Sequence, residues 1–212
     1  MAQPRSLDRS RWIGLWNRLG AQGDGISVFA RLEAAYAEPA RVYHTAEHIR
    51  DCLAQFDLGR HLAERPDEVE AATWFHDAVY QPGASDNEDQ SARLARTSLA
   101  DARGSLEVAH RIADLVLATQ HLSIPGEPDA ALLCDIDLSI LGRIPELFDR
   151  FEQRIRQEYA WVPEAIYQSA RAEILEGFLG RRFIYQTDFF RDRYEVQARV
   201  NLTRVIAELG AS

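Results

Sequence analysis

The chain has 212 residues, 46% of them hydrophobic, which is enough to bury a core, and no linker, low-complexity run or repeat divides it, so we predict one domain over residues 1–212. The net charge of −9 argues against DNA or long RNA as a partner, because binding to such polyanions depends on clustered cations. All 24 basic residues are arginine, which excludes the Schiff-base and P-loop chemistry of lysine.

Apolar residues recur at helical spacing along the chain, and no convincing set of period-2 strands is present. Thr45, Asp86 and Ser105 suit N-cap positions, and Pro66 and Pro145 suit the first turn of a helix. The predicted helices cover residues 7–19, 26–37, 46–56, 66–79, 86–102, 105–121, 130–141 and 145–161, a segment that restarts at 163, and 192–209. The sequence therefore predicts an all-α fold, a single-domain helical bundle.

The two cysteines, Cys52 and Cys134, lie far apart in apolar helical stretches, which favours reduced core thiols and a reducing cytoplasm. The apolar run at residues 12–16 is too short and too interrupted for a signal sequence or a membrane span. We expect Trp12, Trp16 and Trp161 to be exposed, which is compatible with a homodimer face.

Three short segments place metal-binding residue types on separate predicted helices: YHTAEH at 43–48, WFHD at 74–77 and CDIDL at 134–138. The second carries a histidine and an aspartate on an inward, apolar helix face. Burying both is costly unless a cation or several hydrogen bonds compensate, and the same holds for at least one carboxylate of the third segment. Each segment alone also fits an ordinary structural role, but their combination favours a divalent-metal site.

The order His, His-Asp, Asp resembles the HD-domain superfamily of metal-dependent phosphohydrolases, an all-helical fold. RVYHTAEHI, WFHDAVY, SDNEDQSA, ATQH, DIDLSILG and IRQEYAWV resemble a group of bacterial HD proteins of about this length. By this resemblance the metal ligands are His48, His76, Asp77 and Asp137, with Asp135 as a rival to Asp137. The first segment is similar to that of cyclic-nucleotide phosphodiesterases.

The resemblance implies hydrolysis of a small phosphate ester, with a nucleotide favoured, by metal-activated water. It implies that His44 protonates the leaving group, and Asp77 could also orient the attacking water. Nitrogen and oxygen ligands without thiolate favour Mn²⁺, Fe²⁺, Co²⁺, Ni²⁺ or Zn²⁺, and Mg²⁺ is possible. The alternatives are a di-iron oxygenase of the HD type and a non-catalytic nucleotide-sensing scaffold.

Further candidates each have a structural alternative. His121 could approach the metal or a substrate phosphate, or it could simply end an apolar helix, while Glu88 could bind a second metal or serve as a first-turn acid favoured by the helix dipole. Whether these residues act as extra ligands decides whether the site binds one metal ion or two. The candidates for substrate binding are two arginines, which suit phosphate, and two tyrosines, which suit a nucleotide base. They are Arg156, Tyr159, Arg182 and Tyr185. The alternative is that these residues simply belong to a solvated helix face and a loop.

Overall fold

A computed structural model describes residues 6–211, and in that part of the chain it contains helices and turns but no strand. The α-helices are α1 (Arg9–Arg18), α2 (Ile26–Ala35), α3 (Ala46–Gly59), α4 (Pro66–Phe75), α5 (Asn87–Asp101), α6 (Leu106–Ala118), α7 (Pro128–Asp137), α8 (Pro145–Glu158), α9 (Glu164–Leu179) and α10 (Asp188–Gly210). Two 3₁₀ segments cover Arg60–Leu62 and Leu138–Gly142. The all-α prediction is confirmed. Among the described residues, no helix combines the length and apolar character needed to cross a membrane.

The chain forms two compact units, Met1–Cys134 and Asp135–Ser212. In the first unit, α6 packs against α4 and α5, and α4 also contacts α1 and α3. In the second unit, α10 packs against α9 and against the 3₁₀ segment Leu138–Gly142, which α8 also contacts. A single domain over residues 1–212 stays a prediction.

Aromatic rings form much of the core of the first unit. The ring of Trp12 lies 5.5 Å from Trp16, 5.4 Å from Trp74 and 5.7 Å from Phe75, measured between ring centres. Trp12 and Trp16 are 0% and 2% exposed, and both indole N–H groups donate to backbone carbonyls, so the prediction that they are exposed is wrong. Trp161 is 68% exposed, as expected. A homodimer stays a prediction.

Several helix starts follow the local signals in the sequence. The side chain of Thr45 accepts a hydrogen bond from Glu47 N at 3.3 Å, and Ser105 caps α6 in the same way, as predicted. Asp86 precedes α5 but its side chain makes no capping hydrogen bond. The final helix begins at Asp188, four residues before the predicted start at 192, because Thr187 caps it.

Several helices end earlier than predicted, and α4 and α6 have candidate site residues just beyond their ends. Helix α4 ends at Phe75, so that His76 is its C-cap residue and Asp77 lies in the following turn. Helix α6 ends at Ala118, and His121 adopts a left-handed φ of 55° in the segment beyond it. These polar side chains therefore project from helix ends rather than from helix faces.

Candidate metal centre

Two segments of the first unit bring three predicted ligands together. His48 lies in the first turn of α3. His76 and Asp77 lie directly after α4, which packs against α3. The N-cap of α3 thus fixes the position of His48, and the end of α4 fixes the positions of His76 and Asp77.

The three donor atoms form a nearly equilateral triangle. His48 Nε2 lies 3.1 Å from His76 Nε2 and 3.3 Å from Asp77 Oδ2, and His76 Nε2 lies 3.1 Å from Asp77 Oδ2. Atoms bound at about 2.1 Å to one ion are about 3.0 Å apart in adjacent octahedral positions and about 3.4 Å apart in a tetrahedron. The observed separations fall in this range, so the residues fit a divalent ion.

A hydrogen bond sets the protonation of one imidazole. His76 Nδ1 lies 3.0 Å from the backbone oxygen of Thr73. Because a carbonyl can only accept, Nδ1 carries a proton, and Nε2, which faces His48 and Asp77, is the nitrogen that would bind an ion. Metal-binding histidines usually donate their other ring N–H to such an acceptor.

The centre is buried and its carboxylate is ionised. His48 and His76 are 4% and 2% exposed. Burial alone would raise the pKa of Asp77, but the charges of His76 and His44 and hydrogen bonds from His48 and His76 hold it well below its usual range. The carboxylate is therefore available to a cation near neutral pH.

Cys52 adds a fourth potential donor that the motifs do not predict. It is one turn after His48 in α3, and its Sγ lies 3.6 Å from Nε2 and 3.7 Å from Nδ1 of that histidine. The ligand atoms of His48, Cys52 and His76 all lie within 4.8 Å of one another. The first unit therefore contains a compact group of histidine and cysteine side chains, with Asp77 beside both histidines, that could hold a metal ion. The spacing of four residues between His48 and Cys52 is the signal in the sequence that could have revealed this donor.

His44 lies next to this group. Its half-buried imidazole stacks on the ring of Tyr80, with ring centres 4.0 Å apart and an angle of 28° between the planes. The centre of its ring is 5.9 Å from that of His48. This position is suitable for an acid beside the metal ligands, and the acid role stays a prediction.

Arg41 connects the two segments that carry the ligands. Its Nη1 donates to the backbone oxygens of His44 at 3.2 Å and Asp77 at 2.6 Å, and its Nη2 donates to Ala78 O at 3.1 Å. The side chain is 1% exposed, and its guanidinium carbon lies 5.3 and 5.6 Å from the centres of two tyrosine rings. Arg41 thus holds the loop before α3 against the turn after α4.

We expect Arg41→Lys to lower the free energy of unfolding by about 2–4 kcal/mol and to weaken metal binding. The single ammonium group of lysine cannot span carbonyls on both segments, so buried acceptors lose their donor. Urea unfolding and metal titration would measure both effects. Arg31→Lys, at an exposed position of α2, is the matched control, and equal small losses in the two variants would contradict the prediction.

One of the two aspartates in the third segment has a structural role. Asp135 is 0% exposed, and its Oδ1 accepts from Gln186 N while its Oδ2 accepts from both N and Oγ1 of Thr187. Burial raises the pKa of Asp135 to about 6, against the opposing effect of these hydrogen bonds. Both oxygens of Asp135 are thus engaged within the second unit, and Asp137 is the half-buried last residue of α7. The assignment of Asp137 as the ligand stays a prediction.

Two further candidates lie in the first unit. Glu88 is half-buried in the first turn of α5, and His121 is half-buried beyond the end of α6. The structure therefore places Glu88 where a first-turn acid interacts favourably with the helix dipole. The proposed roles of both residues at the metal centre stay predictions.

Arg156, a predicted substrate-binding residue, makes structural contacts within the second unit. Its Nη1 donates to Tyr159 O at 2.6 Å, its Nη2 to Val162 O at 3.2 Å and its Nε to Glu164 at 2.9 Å. These hydrogen bonds close the connection between α8 and α9. Substrate binding by Arg156 or by the half-buried Tyr159 stays a prediction.

Tyr185 is also engaged within the second unit. It is fully buried, and its hydroxyl donates to Leu138 O at 3.0 Å. Arg182 is exposed, with its guanidinium carbon 5.3 Å from the centre of the Phe183 ring. The hydrogen bond gives Tyr185 a structural role, and substrate binding by either residue stays a prediction.

No protein-family model matches the chain, and searches of the curated proteins and of the solved structures find no match. The resemblance to HD-domain proteins is therefore supported by the sequence motifs alone, and the candidate metal centre is supported by the distances between its donor atoms.

Proposed function

We propose that the protein is a metal-dependent phosphohydrolase that cleaves a small phosphate ester, with a nucleotide as the favoured substrate. One observation carries the proposal: the Nε2 atoms of His48 and His76 and Oδ2 of Asp77 lie 3.1–3.3 Å from one another in a buried site. The likeness of these segments to HD-domain motifs supplies the reaction class.

A divalent ion held by these donors would act as a Lewis acid and would lower the pKa of water to form a nucleophile. The residues around it contribute the remaining steps. Asp77 has a second carboxylate oxygen that can orient the attacking water, and His44 can donate a proton to the leaving oxygen. Burial of the two ligand imidazoles limits competition from bulk water for the same positions.

The test is product release from a panel of nucleotides and simple phosphate esters, with Mn²⁺, Co²⁺, Ni²⁺, Zn²⁺ or Mg²⁺ added and with a chelator as control. We expect turnover to require metal and to fall by about 100-fold or more in Asp77→Asn, because a ligand is lost. Asp101→Asn changes an exposed aspartate at the end of α5 and should leave turnover unchanged.

Other outcomes would contradict the proposal. Metal binding without turnover of any substrate would contradict the proposed hydrolase function. Oxygen uptake by the iron-loaded protein would favour the oxygenase alternative. Failure to bind any divalent ion would show that His48, His76 and Asp77 form only a structural hydrogen-bonded group.

A further inference from the structure

We propose that Cys52 is a thiolate ligand of this metal centre, which therefore selects a thiophilic ion such as Zn²⁺ or Co²⁺ over Mg²⁺. The inference rests on the proposed metal-dependent function. It adds a donor that lies outside the three segments on which the site was predicted.

The position of Cys52 in α3 supports this role. Residues four apart in a helix share a face, so Cys52 projects on the same side as His48. Its Sγ lies 3.6 Å from His48 Nε2. A sulfur at about 2.3 Å and a nitrogen at about 2.0 Å from one tetrahedral ion are about 3.5 Å apart. The observed separation is close to this value.

Ligation requires a small movement of the thiol. Sγ is 3.7 Å from Nδ1, almost as far as from Nε2, so it lies beside the imidazole ring of His48. The Cα–Cβ torsion of Cys52 is the one side-chain rotation that can reposition the sulfur relative to the ring. The sulfur lone pair then forms the bond to the ion, and the thiol proton leaves to solvent.

The two cysteines differ in their surroundings although both are buried and neither forms a disulfide. Cys134 Sγ donates to the backbone oxygen of Ala118 at 3.2 Å. Cys52 Sγ instead contacts an imidazole whose neighbours are His76 and Asp77. Cys52 therefore has its sulfur next to other metal-binding atoms, and Cys134 provides a matched control within the same unit.

A thiolate changes which ions the centre prefers. Sulfur and imidazole donors suit Zn²⁺ and Co²⁺, whereas Mg²⁺ requires six hard oxygen ligands and retains several waters. The proposal therefore removes Mg²⁺ from the candidate ions for this site. It also predicts that Zn²⁺ displaces Co²⁺ while Mg²⁺ in large excess does not.

The experiment is titration of the metal-free, full-length protein with Co²⁺, followed by absorption in the near ultraviolet, where thiolate-to-cobalt charge transfer absorbs. We expect the band in the wild type and in Cys134→Ser, and its loss in Cys52→Ser with at least a tenfold weaker affinity for Zn²⁺, about the effect of losing one supporting group. In Cys134→Ser, Cys52 is the single remaining thiol. A band in that protein identifies Cys52 even if Cys52→Ser fails to fold.

Bound Co²⁺ without the band in the wild type or in Cys134→Ser would overturn the role of Cys52 and leave the metal-dependent function standing. Absence of Co²⁺ binding altogether would instead contradict the metal centre itself. The two failures are thus distinguishable in one titration, independently of any enzymatic activity.

Discussion

Replacement of His44 by alanine is expected to slow hydrolysis of a nucleotide about 100- to 1,000-fold without releasing the metal. The imidazole stacks on Tyr80 and lies beside His48, but it is not one of the three donor atoms that form the triangle. Its removal would therefore take away the proposed proton donor and leave the proposed ligands in place. Steady-state kinetics and metal analysis of the purified variant measure the two effects separately.

The leaving group distinguishes an acid from a structural residue. A p-nitrophenyl ester releases a stable anion that needs no proton, so the loss on this substrate should be much smaller than on a nucleotide. His110→Ala, at an exposed position of α6, should behave as wild type on both substrates. Equal losses of rate on the two substrates, or loss of metal, would rule out the acid role of His44.

Gly142→Ala is expected to lower the stability of the second unit by about 3 kcal/mol. A Cβ at this position would lie 2.6 Å from the backbone oxygen and 2.8 Å from the Cα of Tyr194 in α10. These are backbone atoms within a helix, so a change of rotamer cannot relieve the overlap. The 3₁₀ segment and α10 must therefore separate. Urea unfolding followed by circular dichroism should show a lower midpoint.

Gly177→Ala is the matched control in the same unit. Beyond the adjacent residues and the backbone of its own helix, no atom would lie within 4 Å of a Cβ at Gly177, which is exposed in α9. Alanine in a helix interior is more favourable than glycine by up to about 1 kcal/mol, so this variant should be slightly more stable than wild type. An unchanged midpoint in Gly142→Ala would show that the close approach to Tyr194 carries no energetic cost.

The elements that local chemistry determines could be predicted from the sequence. Thr45 and Ser105 cap their helices through hydrogen bonds to residues two or three positions away, and such signals are visible in the chain itself. The all-α class likewise follows from helical periodicity that extends along most of the chain.

Tertiary contacts explain where prediction was wrong. The apolar pattern continues past Phe75, but the backbone at 77–79 bonds to Arg41 and Ser91 instead of continuing the helix. These partners lie elsewhere in the sequence, so no local signal marks the end of α4. The burial of Trp12 and Trp16 has the same origin, because it depends on which face of α1 meets α4.

The candidate site could be predicted only in part, because the distances between its residues depend on tertiary contacts. The residue types of His48, His76 and Asp77 indicated a metal, but only the fold shows that their donor atoms meet. Cys52 lies in an apolar helical stretch, which favours a core thiol, whereas its sulfur lies beside an imidazole in the structure.

The hydrogen bonds of Asp135 affect how substitutions in the Asp-x-Asp segment should be interpreted. This carboxylate holds Gln186 and Thr187, and Thr187 caps the 23-residue α10. Replacement of this side chain would leave buried donors at the start of a long helix without their acceptor, which destabilises the fold whether or not an ion is bound. Mutational sensitivity at position 135 therefore reports folding, and a ligand in this segment can be identified only by a readout on the bound metal.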